Sequence, residues 1–429
     1  MNRQVHDVRK ARLSGALMVL IAAVSTLVAP TASAADFYTP PSPLPAGQNG
    51  DLINTGPSNL AISVPGIGGP LPGKATRLMY RSQDSNDKPV AVTGTYIDPS
   101  ASWTGPGERP VVAFAPGTYG QGDNCAASKL LNNLISYTPP FGVMVEYEIV
   151  QIYTLLTQGV GVVITDYQGL GTPGNHTYVN RAAEAHAVLD SVRAAKNVRG
   201  TKISPTSPVG MWGFSQGGGA VAAAAELAPQ YAPELTIKGT YAGAPPADLG
   251  ATLAQVDGTI LFGVIGYTLN GLRDSDPDIG PIIDQYTNDK GKAMLAAVSK
   301  QCIVETALSV GFHRTNEYLK DGRSLSQTLG DIPKAQEILA KNKIGERTPN
   351  SPVYIDSGTS DDIVPHGQAV DLARDWCAKG ANVTLNRQLY PAIFPGLALG
   401  HLLPDFLGLP AANKWFFDQL TNKPSGGNC

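Results

Sequence analysis

The stretch Pro208-Val209-Gly210-Met211-Trp212-Gly213-Phe214-Ser215-Gln216-Gly217-Gly218-Gly219-Ala220 reads as a strand that turns sharply into a helix, and that reading sets the fold. Val209 to Trp212 is a short uncharged apolar run after a Pro-rich loop, the pattern of a strand covered on both faces. Beyond the turn, three glycines and then Ala222 to Ala225 give a helix of small residues that can lie close against the strand. Between strand and helix stands Gly213-x-Ser215-x-Gly217. On such an elbow the serine has strained backbone angles that push its hydroxyl out of the fold, where it can act as a nucleophile. An ordinary turn is the plainer reading of a pentapeptide rich in Gly, but it leaves the strand and helix on either side unexplained.

Outward from the elbow, strands and helices take turns. Val111 to Ala115, Val160 to Thr165, Ile237 to Ala242 and Val353 to Asp356 are further continuous apolar runs, and Val383 to Leu389 is another strand. Met144 to Leu156, Arg181 to Lys196 and Gly367 to Ala378 have helical patterns. Such alternation implies right-handed crossovers and a mostly parallel central sheet, an α/β fold. Its start differs. Ala75 to Arg81 and Val90 to Ile97 alternate with period two about the polar turn Ser82 to Lys88, an antiparallel hairpin, and Pro40, Pro41, Pro43 and Pro45 before it mark an extended arm. After Gly243 no strand is legible until about Gly345, while Lys292 to Leu308 and Pro333 to Lys341 look helical. A loop of that length needs structure of its own, so residues 245–345 are expected to form an inserted helical cap or lid. Within it the uncharged run Ile260 to Tyr267 is either the cap's own core or a lipid-facing lid surface.

Residues 1–34 have the form of an export leader: Arg3, Arg9, Lys10 and Arg12 precede the apolar stretch Leu13 to Ala29, and Ala32-Ser33-Ala34 fits a cleavage site. That stretch falls short of the ~20 apolar residues that span a bilayer, so no transmembrane segment is expected once the leader is removed. Residues 35–429, 395 of the 429, then form one domain in a secreted, extracellular protein. Removing the leader's net +3 takes the formal charge from −3 to −6, with no basic cluster or aromatic platform to hold nucleic acid. Cys125, Cys302, Cys377 and Cys429 are even in number and lie far apart in a chain marked for export, so they read as two disulfides. No closely spaced Cys or His pair suggests a metal. Asp274 to Asp278 resembles a calcium loop, but Pro277 interrupts it and Gln285 stands where an acid belongs, so a solvated acidic loop is expected.

A serine hydroxyl needs an imidazole to take its proton and a carboxylate to orient that imidazole. On a strand-elbow-helix scaffold the order is nucleophile, acid, histidine. The acid lies in Val353-Tyr354-Ile355-Asp356-Ser357-Gly358-Thr359-Ser360-Asp361-Asp362, a strand running into a turn, with Asp361 preferred over its neighbour Asp362. His366 sits too close behind Asp361 to reach round it, whereas His401 follows the next strand and is the better base. Negative charge developing on a substrate would be met by backbone amides, one at Thr118 in Pro116-Gly117-Thr118-Tyr119-Gly120 and one at Gln216. None of these steps calls for a cofactor or a metal.

With Ala115-Pro116-Gly117-Thr118, Asp166-Tyr167-Gln168-Gly169-Leu170-Gly171, Gly213 to Gly218 and Gly358 to Pro365 in that order, the chain resembles the secretory lipase family, the lipase A type of α/β-hydrolase, over nearly all of residues 35–429. The resemblance implies Ser215 as nucleophile, Asp361 as acid, His401 as base and the amides of Thr118 and Gln216 as oxyanion donors. It also implies bridges from Cys125 to Cys302 and from Cys377 to Cys429. Apolar runs flanking the cap and His401 point to a lipid ester such as an acylglycerol as substrate, met at a lipid–water interface by a monomer. An esterase for short soluble esters is the near alternative, and a catalytically silent hydrolase fold used for binding is the distant one.

Overall fold

Apolar runs separated by polar turns assemble into one nine-stranded sheet in the computed structural model, which describes residues 36–64, 70–133, 135–138, 142–423 and 426–429. The leader expected over residues 1–34 lies outside these. Strands β1 (Leu52–Ser58), β2 (Gly73–Gln83), β3 (Pro89–Pro99) and β4 (Val111–Ala115) come first in the chain. They are followed by α1 (Ala127–Leu130), a separate hairpin of β5 (Ile135–Thr138) and β6 (Gly142–Val145), α2 (Ile149–Thr157), β7 (Gly161–Thr165) and α3 (Arg181–Lys196). Then β8 (Val209–Phe214) leads through the elbow into α4 (Gln216–Tyr231) and β9 (Ile237–Gly243).

Between β9 and the next strand the described residues form helices joined by loops: α5 (Leu249–Val256), α6 (Val264–Ser275), α7 (Ile279–Tyr286), α8 (Asp289–Val298), α9 (Ile303–Val310), α10 (Leu325–Gly330) and α11 (Pro333–Asn342). The chain closes with β10 (Val353–Gly358), α12 (His366–Ala378), β11 (Val383–Gln388) and α13 (Leu399–Leu420).

The sheet order is β1-β2-β3-β7-β4-β8-β9-β10-β11. Pairing is antiparallel from β1 to β7 and parallel from β7 to β11, so the fold is α/β with an antiparallel start. Successive side chains of β4 serve opposite faces, as a pleated strand requires. Val111 and Ala113 pack with the alanines of α3 and α4, while Val112 and Phe114 pack with α2 and α13. From β4 the chain goes to β7 on one side, and from β8 it goes to β9 on the other. The ends of β4 and β8 therefore border the crevice where open α/β sheets hold ligands.

Three local expectations need correction. Met144 and Val145 belong to β6, paired with β5, and the helix starts only at Ile149. Lys292 to Leu308 is two helices, because Ser299 to Cys302 breaks off to meet the loop after β4: Gln121 N donates to Gln301 O at 3.0 Å, and Cys302 is bonded to Cys125. Strand β1 was not foreseen; its sequence carries Gly56 and Pro57, tolerable because β1 is an edge strand that among the described residues pairs with β2 alone. The run Ile260 to Tyr267 resolves toward core, with Phe262, Ile265 and Tyr267 buried among the helices α5 to α9.

Candidate active site

Ser215 joins β8 to α4 with φ 56° and ψ −121°, a conformation costly for any residue with a Cβ. The turn can be this sharp because α4 starts against bare backbone. A Cβ on Gly217 would stand 1.9 Å from the carbonyl oxygen of Ala115, so only glycine fits there. The serine backbone is tied on both sides, its N–H donating to Gly243 O at 2.9 Å and its carbonyl accepting from Gly219 N at 3.0 Å.

Two further segments arrive at the same place. The turn after β10 carries Asp361, and the first turn of α13 carries His401; Gly400 lets them touch, since a Cβ there would lie 2.2 Å from Ser360 O. Asp361 Oδ2 is 2.8 Å from His401 Nδ1, and His401 Nε2 is 2.8 Å from Ser215 Oγ. An ionised carboxylate can only accept, so the ring hydrogen sits on Nδ1 and Nε2 is left to accept the serine hydroxyl. Burial by itself disfavours a charged imidazole, but the Asp361 carboxylate beside it outweighs burial and raises the His401 pKa above the ordinary histidine value. Asp361 Oδ1 is held by the N–H groups of Ile363 and Val364 at 2.9 and 2.8 Å.

Asp362 points elsewhere. It accepts the backbone N–H groups of Gly396, Ala398 and His401 at 2.8, 3.0 and 3.2 Å, which fixes the loop entering α13. Ala398 is left-handed, with φ 61°, in that loop. His366 turns back toward β10, its Nδ1 3.0 Å from Ser357 Oγ, and takes no part.

Thr118, in the loop after β4, lines the same cleft as Ser215 and Gln216, and its hydroxyl is 2.7 Å from that of Tyr178. Gln216 is the first residue of α4, so its N–H has no acceptor within the helix and lies in the positive end of its dipole. The Gln216 side chain is clamped: its Nε2 donates to Glu184 Oε1 at 2.8 Å and to His176 Nε2 at 2.7 Å. His176 Nδ1 donates to Gln168 O at 3.1 Å, which leaves Nε2 free to accept. Burial lowers the His176 pKa to about 4 and raises that of Glu184 to about 8, so the histidine stays neutral. Neither residue was foreseen from the sequence. The signal for Glu184 was an acid inside Ala182-Ala183-Glu184-Ala185, a helix stretch otherwise made of small residues.

The rest of the cleft is mostly apolar, with Thr252 and Thr268 among its walls. Leu249, Leu253 and Val256 of α5, Leu261, Val264 of α6 and Ile363 line it, so a bound chain would meet hydrocarbon rather than charge. A hydroxyl, an imidazole and a carboxylate joined in series beside two candidate amides, facing an apolar cleft, can transfer the acyl group of an apolar ester.

The sequence profile of the secretory lipase family matches residues 137–428. Among relatives, the "probable inactive lipase MT1628" of Mycobacterium tuberculosis is 28% identical over 90% of this chain and 82% of its own length. The secreted triacylglycerol lipase LIP3 of Malassezia restricta is 27% identical over 90% of this chain and 79% of its own. Among solved structures, Candida antarctica lipase A superposes with a TM-score of 0.76 at 24% identity, covering 91% of this chain and 86% of that one.

Proposed function

The chain belongs to the secretory lipase family and is a carboxylic ester hydrolase, and from that premise we propose that Ser215 is its nucleophile, with His401 as general base and Asp361 as the group that orients and stabilises the imidazole. His401 Nε2 takes the proton of Ser215 as Oγ attacks the ester carbonyl. The oxyanion is met by the amides of Thr118 and Gln216. Collapse of the tetrahedral intermediate releases the alcohol, which leaves with the proton from His401, and water then frees the acid from the acyl-enzyme by the same route. The observation that carries this reading is the pair of 2.8 Å contacts that join the three side chains in series.

Lipid esters are the proposed substrates, because the cleft beside Ser215 is walled by leucine, isoleucine and valine. Export is proposed with them: the leader is cleaved after Ala34, and the domain that follows acts outside the cell with Cys125–Cys302 and Cys377–Cys429 bridged. The name of the mycobacterial relative favours a second reading, a catalytically silent hydrolase fold. Against it stands the unbroken chain from carboxylate to hydroxyl, which an inactive protein has no need to keep aligned.

A series of p-nitrophenyl esters tests both. Hydrolysis is expected, with kcat/KM rising by up to about 4-fold per added methylene while the chain still enters the cleft, the equivalent of ~0.8 kcal/mol per buried CH₂. Ser215→Ala is expected to lower kcat by about 10⁶-fold. Wild-type rates from Ser215→Ala would end the nucleophile assignment, and a flat series peaking at acetate would end the lipid assignment.

A further inference from the structure

The hydrogens around Tyr119 cannot be placed if both neighbouring glutamates are charged. The Tyr119 hydroxyl lies 2.6 Å from Glu146 Oε1 and 2.6 Å from Glu148 Oε2. A phenol has one hydrogen, which satisfies one of these contacts; the other needs a hydrogen on the carboxyl group itself. All three side chains are buried. Among the described residues the titratable groups that face them are Tyr147 in the same segment, Tyr153 on α2, Tyr167 after β7 and Asp405 on α13, and none of these is a cation. Burial raises the Glu146 pKa to about 7, and burial together with the neighbouring Glu146 raises that of Glu148 well above the carboxylate range.

The remaining contacts come from the backbone. Glu148 Oε1 accepts the Gly117 N–H at 3.0 Å and Glu146 Oε1 accepts the Glu148 N–H at 3.3 Å, while Glu146 Oε2 is buried and has no partner among the described residues. The two carboxyl groups therefore share one hydrogen: the protonated one donates to the Tyr119 oxygen, whose own hydrogen goes to the other carboxylate.

This arrangement holds the oxyanion loop at two points. Glu148 fixes the Gly117 amide just before Thr118, and the two carboxyl groups fix the Tyr119 side chain just after it, while Tyr119 O accepts from Ile303 N at 2.8 Å. We propose that Glu146, Tyr119 and Glu148 form a one-proton relay that positions the Thr118 amide for the oxyanion, and that loss of this proton at alkaline pH releases the loop and lowers turnover. The proposal rests on the assignment of Thr118 as an oxyanion donor. The three are positioning residues, since none touches the reacting atoms.

The test is kcat against pH, measured on the full mature protein between about pH 6 and 10. Wild type is expected to lose kcat on the alkaline side with little change in KM. In Glu146→Gln the amide donates to Tyr119 without a titrating proton, so that loss moves up by more than about one pH unit. Profiles that superimpose overturn the relay. If Glu146→Gln does not fold, Tyr119→Phe carries the test: the carboxyl groups lose the hydroxyl hydrogen that favours their charged forms, and the alkaline loss moves up. No movement there also overturns the relay. Ser215→Ala, assayed beside these variants, separates the two assignments: wild-type rates in it overturn the nucleophile, whereas unmoved profiles overturn the relay alone.

Discussion

Two adjacent carboxylates do different work because their oxygens face different hydrogens. Asp361 meets the His401 ring, and Asp362 meets three backbone N–H groups of the loop that carries His401. Asn at 361 presents either a weaker acceptor or a competing N–H to Nδ1 and upsets the tautomer, so Asp361→Asn is expected to leave the melting temperature near that of wild type while kcat falls by about 10⁴-fold. Asp362→Ala instead strands buried donors at about 1–3 kcal/mol each and is expected to lower the melting temperature by several degrees. Thermal melts and kcat of the two variants check this; equal loss of stability in both would contradict the division. At this scale Ser215, Asp361 and His401 were legible because the chemistry demands three residue types in a set chain order, and His366 fell to its short separation from Asp361. Glu184, His176 and Glu148 were not legible. They act through hydrogen bonds to Gln216 and Gly117 that only tertiary packing creates, and a buried acid has the same letter in the sequence as an exposed one.

Among elements, those that sit inside the sheet were the readable ones. β4 and β8 are buried on both faces, so an uninterrupted apolar run marks them, and the glycines after β8 mark the close approach of α4. Elements whose pairing is local or at an edge were missed. β1 mixes polar residues with Gly56 and Pro57, and β6 ends at Val145 just before α2 begins at Ile149, so one helix-like stretch hid a strand end and a helix. The break between α8 and α9 exists to let Gln301 and Cys302 meet Gln121 and Cys125, a contact 177 residues away along the chain for the cysteines. The catalytic proposal follows from the same element geometry. The loops leaving β4 and β8 diverge at the switch point, and the turn after β10 and the start of α13 close over it, so four segments converge on one hydroxyl.

For the whole molecule, burial of acids sets a pH dependence of stability. Glu146 at about 7, Asp405 at about 7 and Glu184 at about 8 are all raised by burial from ordinary values of 4.5 and 3.8. The folded chain then binds more protons than the unfolded one, so their contribution is fully present below the unfolded values and is lost as pH rises through the folded ones. His176, lowered by burial to about 4, works in the opposite sense, but only up to the ordinary histidine value of 6.5. His401, raised, acts with the acids. Between about pH 6.5 and 8 nothing among these offsets the loss, and the melting temperature is expected to fall across that window; a flat or rising curve in a pH series of thermal melts would contradict the burial of charge assigned to these groups. In the proposed mechanism one hydroxyl of this molecule is made reactive by the imidazole of His401. Incubation with a fluorophosphonate ester followed by peptide mass mapping reads that reactivity out. A single phosphonyl adduct on Ser215, absent from His401→Ala, is expected; an unlabelled chain, or an adduct on any other residue, would contradict the role given to His401.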